Sequence, residues 1–104
     1  AAGTKTYFVA TTNWRITGWY VVAMADNTTL ELDIIKSSGS IPTELDSIVG
    51  TEPPRLVSGQ LSSDLALNTW SSLDVAQGDV VGVRVVTTNG ASELVTLSLV
   101  GYQL

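Results

Sequence analysis

The sequence contains no cysteine and no histidine. The first absence excludes disulfides, thiol nucleophiles, zinc–thiolate sites and iron–sulfur clusters. The second removes the commonest general base and the usual imidazole metal ligand. Positive charge is scarce: 5 Lys and Arg stand against 10 Asp and Glu, a net charge of −5. Polyanions are held mainly through positive charge, so neither nucleic acid nor an anionic membrane surface is an expected partner. Long apolar runs are missing too. The longest, Trp19 to Ala25, has seven residues where a spanning helix needs ~20, so no membrane insertion is expected. The opening Ala1-Ala2-Gly3 shows no basic stretch leading into an apolar one, hence no visible signal peptide.

What remains fits one domain. The 104 residues are enough for a single core that buries roughly 60–65% of the unfolded chain's surface without staples. Strand-like segments begin close to the first residue and run to the last, so residues 1–104 are expected to be one domain, a fragment or the C-terminal domain of a longer chain. Val and Thr occur 13 times each and Lys only twice, a composition of strand formers rather than surface-helix formers.

Alternation locates the strands. In Ile16–Ala25, Trp19, Val21 and Ala23 share one face, and Tyr20, Val22 and Met24 the other. Both faces are apolar, so both are expected to be covered. In Leu30–Lys36, Leu30, Leu32 and Ile34 oppose Glu31 and Asp33, a half-buried strand with a solvated polar face. Val81, Val83 and Val85 oppose Gly82 and Arg84, while Val95, Leu97 and Leu99 oppose Thr96 and Ser98. Thr4–Ala10 makes a shorter first strand. Pro53-Pro54 confines Leu56-Val57 to a sheet edge. Asp26-Asn27-Thr28 and Asn89-Gly90 are turn signals. One short helix is predicted near residues 44–49, with Thr43 and Asp46 as a capping box, Gly50 as its stop, and Leu45, Ile48 and Val49 across the end of the core. The pattern predicts an all-β chain, a two-sheet antiparallel β-sandwich of jelly-roll type.

Chemistry is sparse. No Gly-x-Ser-x-Gly elbow occurs, and no histidine is present to activate a serine. Glu31 and Asp33 read as surface carboxylates. Asp26, Asn27, Glu31 and Asp33 match no calcium-loop spacing. No catalytic residue, metal site or cofactor is therefore predicted, and the chain is not expected to be an enzyme. Aromatic side chains are the better candidates for binding, because aromatic faces stack on sugar rings. Trp19 and Trp70 lie among apolar residues and read as core. Trp14 and Arg15 lie in the polar stretch Thr11–Arg15 and are the candidate exposed ligand contacts. Tyr20, Val22, Met24, Leu94, Val100 and Tyr102 form the candidate oligomer interface, since contiguous exposed apolar surface marks partner sites.

Several short motifs stand in order: Leu30-Glu31-Leu32-Asp33-Ile34-Ile35-Lys36, Pro42-Thr43-Glu44-Leu45-Asp46-Ser47-Ile48, Pro54-Arg55-Leu56, Leu67-Asn68-Thr69-Trp70, and Gly78-Asp79-Val80 before Val95–Leu99. This series resembles a small β-domain of structural and tail-fibre-like proteins of tailed bacteriophages, over roughly residues 16–100. Ile35 departs from it, standing where an aromatic often precedes the lysine. The resemblance implies a virion component of an appendage or surface fibre, a homo-oligomer and often a trimer, assembled in the host cytoplasm with other virion proteins. It also implies a host-contact role in some members, toward a surface saccharide or protein. A carbohydrate-binding module of a secreted or surface protein is the alternative expectation.

Overall fold

The computed structural model describes residues 2–104. Eight strands build two antiparallel sheets: β1 (Lys5–Val9), β2 (Trp14–Ala23), β3 (Thr28–Ser38), β4 (Arg55–Gly59), β5 (Leu61–Asp64), β6 (Asp74–Val75), β7 (Asp79–Thr88) and β8 (Val95–Gln103). Sheet A has the order β1-β7-β3-β4. In sheet B, β2 is central: β8 runs along one side, and β5 and β6 share the other. The expected antiparallel two-sheet sandwich is the observed architecture.

The core lies where the inward positions of the two sheets meet. Ile16, Trp19, Val21 and Ala23 of β2 face Leu30, Leu32 and Ile34 of β3 and Val81 of β7, all buried. The period-2 alternation of these strands produces that layer. Bulges shift the register at Thr17 in β2 and at Val86 in β7, where Glu31 and Leu32 pair with Thr87 and Val85. Gly82 has no side chain because the Tyr7 ring and Ile35 lie over it; a Cβ there would come 2.9 Å from both.

The expected helix is shorter than its sequence signal. Only Glu44–Asp46 form a turn, of the 3₁₀ type, although its capping box is intact: Leu45 N–H donates to Thr43 Oγ1 at 3.3 Å, and Thr43 N–H to the Asp46 carboxylate at 2.7 Å. Leu45 is 92% exposed, so it does not reach the core, whereas Ile48 and Val49 do. The reason lies in the next residues. Ile48 N–H donates to the Ile34 carbonyl and Ser47 bridges Ile35, so the chain returns to extended pairing with β3 before a second helical turn can form.

The two long sides of the sandwich are built differently. On one, β4 passes into β5 through Gln60, which carries the chain from sheet A to sheet B and bonds the Ala23 N–H. Here Trp70 is buried and its indole N–H donates to the Glu52 carbonyl at 3.0 Å. Gly50, at φ +56°, brings the backbone against Thr69, where a Cβ would overlap the carbonyl. On the other side the edge strands are β1 and β8, and the space between them is open.

Candidate functional site

Among the described residues, three ion pairs tie strands together: Arg15–Asp74, Lys36–Asp79 and Arg84–Asp33. Asp33, expected on a solvated face, is instead buried: it accepts from Ser47 Oγ at 2.5 Å and from Arg84 Nη2 at 3.2 Å. The loop that returns to pair beside β3 brings Ser47 to Asp33, and Ile35, on the same face as Asp33, is buried over Gly82 beside the Tyr7 ring. Lys36 points between the sheets. Its ammonium donates to Ser72 Oγ at 2.9 Å and to the Asp74 carbonyl at 2.8 Å, and lies 3.8 Å from the Asp79 carboxylate. Glu52 accepts from the backbone N–H groups of Asn68 and Thr69. Burial opposes ionisation of Glu52, but the hydrogen bonds from Thr69 and Asn68 outweigh it and hold the carboxyl below its ordinary range.

Trp14 and Arg15 are strand residues rather than loop residues. Both belong to β2, and each pairs with β8 on one side and β6 on the other. Arg15 makes a two-point contact with Asp74, Nε to Oδ1 at 2.6 Å and Nη2 to Oδ2 at 3.0 Å. Hydrogen bonding to Asp74, and then to Tyr102, raises the guanidinium further above its ordinary value; Arg15 in turn holds Asp74 below the usual carboxylate range. Trp14 is half-buried and packs against the edge of the core. The aromatic row that a saccharide platform needs is therefore not assembled from the tryptophans, since Trp19 and Trp70 are buried as expected.

The candidate interface residues separate into two places. Tyr20 and Val22 lie on the outer face of sheet B, opposite Ser98 and Thr96 of β8, with Val100 and Tyr102 further along and Leu61 of β5 beside Val22. Tyr20 is 38% and Val22 45% exposed, so this face is uncovered in the single chain. Met24 follows the end of β2, where its N–H donates to the Leu94 carbonyl. Leu94 precedes β8 and lines the mouth of the open side.

That open side is the feature the sequence pattern did not disclose. Between β1 and β8 runs a cleft of two adjoining hollows, about 330 Å³ toward Glu93 and about 520 Å³ toward Trp14. Thr6, Phe8, Val83, Val95, Leu97 and Leu99 contribute its walls. Phe8 is 41% exposed, and Val83, Leu97 and Leu99 are only half-buried, although all sit on inward positions. The alternation in Val95–Leu99 marks these residues as inward, but only strand order shows that no strand covers them. No family model matches the sequence, and neither a curated protein nor a solved structure matches it.

Proposed function

We propose that this chain is a non-catalytic assembly domain that works as a homo-oligomer, a structural module of a virion appendage or surface fibre. The observation that carries the assembly reading is β8. It is an edge strand of nine residues without a charge, lining an apolar cleft with Val95, Leu97 and Leu99 and lying on an uncovered outer face with Val100 and Tyr102. Monomeric proteins usually guard such edges with charge, proline or short length. The non-catalytic reading is supported by how the titratable groups are used: Asp33, Lys36, Asp79, Arg84, Arg15 and Asp74 all bind one another across strands.

The virion reading rests on the ordered motifs. Their residues make the fold: Thr43 and Asp46 cap the 3₁₀ turn, Leu56 and Trp70 fill the closed side, and Gly78 turns into β7. In that setting the partners are further copies, other virion proteins, and a host-surface saccharide or protein. The domain is assembled in the host cytoplasm and displayed on the particle. Light scattering on the purified chain tests the assembly reading. A mass of more than one copy at micromolar concentration is expected, and single copies at several hundred micromolar contradict it.

A further inference from the structure

The two edges of the open side run in the same direction. Thr4 and Thr6 share a hollow with Glu93 and Val95, and Phe8 shares the next with Leu99, so β1 and β8 advance together along the cleft. Neither strand contains proline, and together they carry one charge, Lys5. The opposite edge is guarded: Pro53 and Pro54 precede β4, Ser58 within it has φ +46°, and β5 and β6 have four and two residues. Lys5 and Glu93 stand at the same end of the cleft. Both are exposed, and neither forms an ion pair among the described residues.

We propose that the cleft is closed by a second copy of this chain, through a half-turn about an axis parallel to the strands that lays β1 of each copy beside β8 of the other. This rests on the self-assembly reading above. The half-turn exchanges the two layers, so sheet A of one copy continues into sheet B of the next, and sheet B into sheet A. Each cleft then meets the other, and Phe8, Trp14, Leu97 and Leu99 of both copies enclose one shared apolar interior. Strand direction is preserved by this rotation, so Lys5 of each copy comes to the Glu93 end of its neighbour, at both seams. A half-turn perpendicular to the sheets instead sets β1 antiparallel to itself. Centred on Tyr7, it leaves Lys5 facing Val9 with no charge match. Copies that each carry net charge −5 repel one another over most of their surface, so a seam that is uncharged except for one complementary pair is where they can meet.

The test uses the whole chain in four samples: wild type, Lys5→Glu, Glu93→Lys, and an equal mixture of the two variants. Sedimentation equilibrium reads the association, and circular dichroism checks that these exposed substitutions leave the fold intact. Wild type is expected as a dimer. Each variant alone places like charges at both seams and should need at least about tenfold higher concentration to associate. The mixture restores opposite charges at both seams and should return association to near the wild-type value. A wild-type trimer, variants as tightly associated as wild type, or a mixture that stays dissociated each overturns this seam and leaves self-assembly standing. Single copies of wild type at high concentration overturn both.

Discussion

The two long sides of this sandwich are made from similar materials and finished differently. On the β4–β5 side, a chain crossing, a buried tryptophan, two prolines and a carboxylate that accepts two backbone N–H groups seal the gap between the sheets. On the β1–β8 side the inward residues are equally apolar, yet no segment of the described chain lies over them. On the self-assembly proposed above, the difference is that between a boundary with water and a boundary with another molecule. Where a β-sheet ends against solvent, its edge is short, charged or proline-blocked. Where the edge is long, uncharged and apolar beneath, it is a template for further pairing.

Substitutions can break this contrast, and the largest effect is expected on the sealed side. Trp70→Ala should cost about 3–5 kcal/mol in chemical denaturation, because the ring is buried and its N–H is bonded. Asp33→Asn should cost about 2–3 kcal/mol, since it leaves the largely buried Arg84 guanidinium without its counter-charge. Gly50→Ala should cost about 2 kcal/mol or more, from the left-handed backbone and the overlap with the Thr69 carbonyl. On the open side Trp14→Ala should cost only about 1–2 kcal/mol at low protein concentration, because a half-buried ring forfeits less. A loss for Trp14→Ala as large as for Trp70→Ala would erase the contrast.

The smallest effect expected is that of acid. Hydrogen bonding to Arg15 lowers Asp74 despite the opposing desolvation, and Glu52 is likewise lowered against its own desolvation. A carboxyl with a depressed folded-state value adds stability above its unfolded value, and that stability is lost as pH falls through the folded value. Denaturation midpoints should therefore be level near neutrality and decline below the ordinary carboxylate range. Asp74→Asn should shallow that decline, and an unchanged profile would remove Asp74 from the account.

Much of the sealed side was legible from neighbouring residues. The inward set Leu30, Leu32 and Ile34, the capping box at Thr43 and Asp46, and the core role of Trp70 are local patterns, and each appears as expected. The rest depended on partners far along the chain. Arg15 reads as a loop cation until Asp74, 59 residues away, is seen to bind it. Asp33 reads as solvated until Ser47 and Arg84 cover it. The cleft is less legible still. Its walls come from β1, β2, β7 and β8, and their periodicity says which way a side chain points but not whether anything lies opposite.

Hydrogen exchange measured at low and high protein concentration tests the central claim, that the β1–β8 side is a boundary with a second copy, most directly. At low concentration the amides of β1 and β8 that do not bond β7 or β2 should exchange fast, and those of β3 and β7 slowly. Raising the concentration should protect β1 and β8 together while β4 and β5 stay unchanged. Protection that appears at β4 and β5 instead, or no change at any strand once the chain has associated, would contradict the claim.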